Sequence, residues 1–244
     1  METVLIGMDD TDNLETRGTG YRARQLAERL LENRLAQIIG VTRHQLLVDA
    51  RIPYTSHNSS ACVAVLPDCD LDRLAAFCRD FLLEIAADGS DVGLCVAAEE
   101  QAEKITPFGR RAQTTVLSQQ DATDLAIELD IRLEGLTGTR QGIIGALAAV
   151  GLHAGGNDGR YLWNWGLREL AEETIALGTL REITNIGKVT LADGTEVADA
   201  GAVIELGPWP RTVRINKESV LLVEKLNGCR YKVLDKNLIK SIRP

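Results

Sequence analysis

The chain opens on a short unbroken apolar run, Val4-Leu5-Ile6-Gly7-Met8, which gives way at once to Asp9-Asp10-Thr11-Asp12. A run of that length closed by acidic and turn residues predicts a buried strand ending in a functional loop. From Tyr21 to Leu35, Ala23, Leu26, Ala27, Leu30 and Leu31 recur at helical spacing among Arg and Glu, so the loop is handed to a helix. Residues 43–49 and 61–66 read as two further strands. Between them lies the polar stretch Arg51 to Ser60, where Pro53 and the hydroxyl cluster favour a loop. Asp70 caps a second helix whose stripe is Leu71, Leu74, Ala75, Cys78, Leu82 and Ile85, and a strand at 92–97 follows.

Strand, helix, strand, strand, helix, strand is the split pattern of a ferredoxin-like unit, which packs its helices on one face of an antiparallel sheet. Residues 100 to 151 turn helical, with pieces at 109–117, 121–129 and 140–150 and a stop at Gly151. After residue 176, Lys188-Val-Thr-Leu before Asp193-Gly194 and Val220-Leu-Leu-Val before Asn227-Gly228 signal two hairpins. The expected fold class is therefore α+β: a ferredoxin-like or mixed-sheet domain and helical segment over 1–175, then a small β-rich unit over 176–244.

Composition narrows the function. At 244 residues, 45% apolar and 25% charged, the chain is an ordinary folded protein of one or two domains. Its net charge of −8 argues against non-specific DNA binding. The charge is segregated, however: residues 176–244 hold 11 basic against 8 acidic side chains, which leaves 16 against 27 for residues 1–175. Arg211, Arg214, Lys217, Arg230, Lys232, Lys236, Lys240 and Arg243 make that tail the place where RNA would bind, although a solvated basic face has the same composition. No apolar run is long enough to span a membrane and no leader pattern opens the chain, so a cytoplasmic location is expected. The five cysteines contain no Cys-x-x-Cys pair and read as reduced, mostly buried thiols.

Three carboxylates and a hydroxyl within Asp9-Asp10-Thr11-Asp12 repel one another unless a cation shares the site, and hard oxygen donors suit Mg²⁺. An acidic loop that caps a helix is the plainer reading. Gly18-Thr19-Gly20 at a helix start offers backbone N–H groups to a phosphate, with Thr19 as a simple N-cap as the alternative. Gly142 and Gly145 would weaken an isolated helix. They imply close approach of another backbone or of a ligand, and Arg140 stands where it would meet a phosphate at the helix start, or merely solvent. His57, between Ser56 and Asn58, has no acidic partner in sequence and reads as a substrate contact or a surface residue. Trp163 and Trp165 share a face if they lie on a strand, and core packing explains them better than base stacking.

These segments, in this order, resemble the catalytic, kinase-like domain of the archaeal tRNA isoleucine agmatinylcytidine synthetases, which join agmatine to an anticodon cytidine using ATP. The family's Gly-Ile-Asp-Asp-Thr-Asp-Ser followed by a Gly/Thr-rich turn and Tyr is matched by Gly7 to Asn13 and Gly18-Thr19-Gly20-Tyr21. Its Ile-Pro-Tyr/Trp segment is similar to Ile52-Pro53-Tyr54, and its later glycine-rich helix to Gly142-Ile-Ile-Gly-Ala-Leu-Ala-Ala149. The resemblance implies that Asp9, Asp10 and Asp12 hold Mg²⁺ with ATP, that Thr19 is the autophosphorylated threonine, and that the turn Gly138-Thr139-Arg140 with Gly142 walls the nucleotide pocket. Where the family has Lys-Thr-Arg-Gly-Asn-Gly, this chain has Thr55-Ser56-His57-Asn58-Ser59-Ser60, losing two cations and two glycines. The family's OB-like and zinc-ribbon domains are not matched, which implies that the tRNA reaction is not carried out by this chain alone.

The sequence thus points to a Mg²⁺- and ATP-dependent phosphotransferase or amine-ligating enzyme acting on a small acceptor. Asp9, Asp10, Asp12 and Thr19 are the catalytic candidates, and Gly18, Gly20, Gly138, Thr139, Arg140 and Gly142 the nucleotide-binding ones. Tyr54, Ser56, His57 and Asn58 are the candidate substrate contacts. The competing readings are an RNA-binding protein working through its basic tail and a catalytically silent nucleotide-binding relative.

Overall fold

The first apolar run forms strand β1 (Val4–Asp9) in the computed structural model of the chain, which describes residues 2–53 and 57–241. Helix α1 (Thr19–Glu32) follows and buries Thr19, Ala23, Leu26, Ala27 and Leu30. Strand β2 (Ala36–Gln45) begins earlier than the hydrophobic pattern predicts, because a register shift between Ile38 and Gly40 breaks its two-residue alternation. Strand β3 (Ser59–Pro67), helix α2 (Leu71–Ile85) and strand β4 (Gly93–Ala98) complete the split pattern. Asp70 caps α2 as expected, accepting the Arg73 N–H at 2.8 Å.

The strands run in the order β4-β1-β3-β2 with every pairing antiparallel, and β5 (Arg132–Gly135) adds to the β4 edge. Helices α3 (Glu99–Ala112), α4 (Gln119–Glu128) and α5 (Gly142–Ala154) occupy the segment read as helical. Contrary to the sequence reading, α3 starts well before residue 109 and runs through Pro107 and Gly109, and α5 does not stop at Gly151. A Cβ at Gly151 would lie 2.5 Å from the Ile105 carbonyl oxygen, so this glycine lets α5 and α3 touch backbone to backbone and is not a helix cap.

Helix α5 decides how the sheet is covered. All its residues but Ile144 are buried, and a helix that is apolar all round needs neighbours on every side. It packs with α3 and α4 over the sheet face formed by Leu5, Cys62, Ala64, Cys95 and Ala97. The alternate residues Ile6, Met8, Val63, Val65, Leu94 and Val96 are equally buried and point the other way, towards α1 and α2. Both faces carry helices, not the single face expected of a bare ferredoxin-like unit. Beneath α5 the buried Thr42 hydroxyl lies 2.9 Å from His44 Nε2 and 2.8 Å from His153 Nδ1, which supplies a hydrogen-bonding partner for two imidazoles far from water.

The chain divides into units Met1–Gly155 and Gly156–Pro244, ahead of the residue 175 at which the sequence texture changes. The reason is β6 (Arg160–Trp163), which pairs with β10 (Thr212–Ile215) of the second unit. That unit also holds β7 (Thr174–Ala176), α6 (Leu177–Ile183), β8 (Lys188–Leu191), β9 (Val203–Glu205), β11 (Glu218–Asn227), β12 (Arg230–Val233) and α7 (Lys236–Ser241). Leu177, Leu180, Val189, Ile204, Leu221 and Val223 form its core. Asn227-Gly228 does close a hairpin between β11 and β12. Asp193-Gly194 closes only a single bridge, Thr190 to Glu196, because β8 spends its hydrogen bonds on a parallel pairing with β11. Trp163 ends β6 and Trp165 lies beyond it, 58% exposed, so the two do not share a strand face.

Candidate active site

Strand β1 delivers Asp9 to its last position, and the chain then turns through Asp10 at φ +52°. That left-handed conformation is one Asp tolerates better than most residues, and such strain is often retained at functional loops. It directs Asp9, Asp10 and Asp12 into one cleft together with Thr19 at the start of α1. The floor is the first turn of α5, through Gln141, Gly142, Ile144 and Gly145. Leu46, Arg51, Ile52, Pro53, His57 and Asn58 line the cleft from the loop after β2, Ser59 from the start of β3, and Thr115, Val116 and Leu117 from the segment after α3.

Glycines set the depth of this cleft. A Cβ on Gly7 would sit 2.0 Å from the Ala146 carbonyl oxygen, and one on Gly145 would sit 1.8 Å from Asp9 Oδ2. The two readings left open for Gly142 and Gly145 therefore resolve differently. Gly142 meets the backbone of Asp91, Gly93 and Asp9, whereas Gly145 makes room for the Asp9 carboxylate.

Asp12 Oδ1 accepts both the Thr19 N–H and the Thr19 hydroxyl, each at 2.9 Å. Gly18, not Thr19, is the N-cap residue of α1, and it has no side chain to cap with. The Asp12 carboxylate takes over that role from the preceding loop, which frees Thr19 to lie in the cleft. The Thr11 hydroxyl donates in turn to Thr19 Oγ at 3.2 Å.

Burial, then the neighbouring Asp10 and Asp12 charges, push the Asp9 carboxyl well above the usual carboxylate range against an opposing backbone hydrogen bond from Asp10. Burial also raises Asp10, opposed by the Asp91 N–H, which reaches Asp10 Oδ2 at 3.3 Å. Burial and like charge therefore both act against ionisation of Asp9 and Asp10. The donors of this cluster are hard oxygens, and Mg²⁺ binds through one or two carboxylates, waters and substrate phosphates, not an all-protein cage. Among the described residues no three His, Cys, Asp or Glu side chains form such a cage. The donor set fits Mg²⁺ shared with a phosphate.

Asp91 was missed in the sequence. Its carboxylate accepts the Thr139 hydroxyl at 2.6 Å and the Thr139 N–H, its carbonyl accepts the Gly142 N–H at 2.9 Å, and its own N–H reaches Asp10. It ties the acidic loop to the glycine turn, and only its position at the head of a strand, like Asp9 at the tail of one, hints at this. Arg51 was also missed. Asp49 holds its guanidinium through Nε and Nη2, both at 2.8 Å, and that pairing keeps the Asp49 carboxyl far below its ordinary value.

The remaining candidates separate. His57 and Asn58 line the cleft, Gly20 lies in the first turn of α1, and Tyr54 and Ser56 fall outside the described residues. Gly138 and Thr139 pack on Asp91 and do not line the cleft. Arg140 lines a neighbouring cavity.

The basic tail does not assemble as expected. Arg214 is buried and donates to the Tyr161 hydroxyl and the Lys217 carbonyl, Arg230 pairs with Glu205, and Lys188 pairs with Glu218. The side chains of Lys236 and Lys240, and the whole of Arg243, lie outside the described residues. Counted over Gly156–Pro244 the unit has 13 basic and 12 acidic residues, so its net basicity largely disappears.

Fold and cleft together define a class: an α+β domain whose first strand carries an acidic loop against a helix start and a glycine-rich helix. Among solved structures the chain is similar to TiaS, the agmatidine synthetase of an isoleucine tRNA, in its complex with that tRNA and ATP, at 31% identity and a TM-score of 0.56 over 62% of this chain and 36% of that one. The complex of TiaS with the tRNA, AMPCPP and agmatine matches at 30% identity and 0.55 over the same shares. A tRNA fluorescent labeling enzyme matches at 32% identity and 0.55, over 61% of this chain and 36% of that one. This chain thus resembles the TiaS catalytic domain and spans little more than a third of the length of the proteins it matches. No family model and no curated protein matches it.

Proposed function

We propose that this chain is a Mg²⁺- and ATP-dependent group-transfer enzyme in which Thr19 first takes a phosphoryl group and an acceptor, a phosphate-receiving or an amine-ligated substrate, then completes the reaction. The observation that carries the reading is the 2.9 Å hydrogen bond from the Thr19 hydroxyl to Asp12 inside a cleft lined by Asp9 and Asp10. A threonine hydroxyl needs a base to become a nucleophile, and Asp12 Oδ1 is placed to receive its proton. Thr11, donating to Thr19 Oγ, orients its lone pairs. Asp9 and Asp10 would hold Mg²⁺, with ATP over the first turn of α5. When bound, ATP would supply the phosphoryl group, with ADP as the leaving group and the Thr19 proton passing to Asp12, and Mg²⁺ would neutralise charge on the transferring oxygens.

The likeness to tRNA-modifying enzymes that bind ATP supports a second reading of the acceptor, as an RNA and not a small molecule. Calorimetric titration of ATP into the full chain tests the shared core. Binding is expected with Mg²⁺, to weaken at least about tenfold without it, and to weaken similarly in Asp10→Asn, a change of about 1.4 kcal/mol. Metal-independent binding, equal in wild type and variant, contradicts the assignment. ATP turnover stimulated by added tRNA, and by no small amine or alcohol, selects the RNA acceptor.

A further inference from the structure

A second cavity, of about 470 Å³, opens beside the cleft but is built from other side chains: Gln119, Ala126 and Ile127 of α4, Asp130 and Ile131 after it, Leu133 of β5, and Arg140 and Ile143 at the head of α5. That volume is in the range of small-molecule sites, whose walls are mostly apolar with a few placed polar groups.

The charged groups here are two and of opposite sign. The guanidinium of Arg140 and the carboxylate of Asp130 make no hydrogen bond or ion pair among the described residues, with each other or with anything else. Elsewhere in this unit Arg51, Arg79, Arg111 and Arg132 each engage a carboxylate. Arg140 is held at φ +66°, and its stem lies over Gly135, where a Cβ would come within 2.3 Å of the Arg140 Cβ. A strained backbone and a glycine therefore fix this cation at the cavity.

The two charges mark opposite ends. Gln119, at the first position of α4, donates to the Thr139 carbonyl at 2.9 Å and so fixes the Arg140 end. Asp130 follows the last turn of this ten-residue helix, about 15 Å away along its axis before the side chains reach inward. Ala126, Ile127, Ile131 and Leu133 provide the apolar surface.

We propose that this cavity is a binding site for an elongated zwitterion, a small molecule with a carboxylate at one end, an ammonium at the other and an apolar chain between, as in an ω-amino acid. Arg140 takes the carboxylate, Asp130 takes the ammonium, and the methylenes lie on the isoleucines and Leu133. A dication is refused by Arg140 and a dianion by Asp130, so the site selects on charge pattern as well as length.

Calorimetry and ligand-observed NMR on the full chain with ε-aminocaproate as probe test this, with hexanoate and hexylamine as the two half-ligands. Saturable binding of ε-aminocaproate is expected, at least about tenfold tighter than either half-ligand, and weakened about tenfold by Arg140→Gln and by Asp130→Asn. Both positions are exposed, and unchanged thermal unfolding of the variants shows that the fold is intact. Absence of saturable binding, equal affinity for a half-ligand, or binding that both variants retain would each overturn the assignment. Because Asp130 does not line the cleft of Asp9, Asp10 and Asp12, Mg²⁺-dependent ATP binding is expected to be unchanged in Asp130→Asn.

Discussion

Asp12 uses one oxygen for two purposes, capping the first turn of α1 and holding the Thr19 hydroxyl, so the capping reading of the acidic loop and the proposed catalytic one do not compete. Asp9 is different, because it is packed against Gly145 beside two other carboxylates, with a backbone hydrogen bond from Asp10 opposing their effect. A carboxyl whose folded-state pKa is raised costs stability at pH values above that pKa. Folded protein regains this stability as pH falls, since the folded state then binds the proton more tightly than the unfolded chain. Asp9→Asn should therefore raise the melting temperature of the metal-free protein at neutral pH, by about 2–4 °C per kcal/mol of relieved penalty. The gain should shrink as the solution is acidified, and Mg²⁺-dependent nucleotide binding should be lost. Melting curves across pH check this, and a variant less stable than wild type at neutral pH would show that the Asp9 charge is already compensated. The three aspartates were legible because they are adjacent in sequence. Asp91 was not, because what places it at Asp10 is the pairing of β1 with β4, a contact between residues far apart in the chain.

At the scale of elements, the amphipathic helices were readable and the irregular ones were not. Helix α2 was found to its last residue because its cap and stripe agree. Helix α3 was missed over most of its length because Pro107 and Gly109 look like breakers, whereas Gly109 serves close contact with Ala148 on α5. The glycines of β1 and α5 make the same point with opposite consequences. In Gly7→Ala the new Cβ meets the backbone of α5, which moves only with the helix, so a loss of about 3 kcal/mol or more in stability is expected. In Gly145→Ala it meets the Asp9 side chain, so nucleotide binding should fall more than stability does. Chemical denaturation and calorimetry on the two variants separate the cases. Equal loss of stability in both would mean that Asp9 is as immovable as the backbone. The Thr42, His44 and His153 contact was likewise invisible, since its members are brought together only when α5 crosses β2.

For the whole molecule, the charge segregation read from the sequence depends on where the boundary between the two units falls. The tail is basic as a string, yet Arg214 is spent internally and Arg230 and Lys188 on carboxylates of their own unit. Moving the unit boundary to Gly156 brings in four more acidic residues against two basic ones. The likeness to the TiaS catalytic domain covers a share of the chain about the size of the N-terminal unit, where the whole cleft lies. The central claim is that this cleft phosphorylates Thr19, and peptide mass analysis of the full chain after incubation with Mg²⁺ and ATP tests it most directly. The account predicts one added phosphate on Thr19, metal-dependent and absent in Asp12→Asn although that protein remains folded. An unmodified Thr19 in a wild-type protein that binds Mg²⁺ and ATP would contradict it.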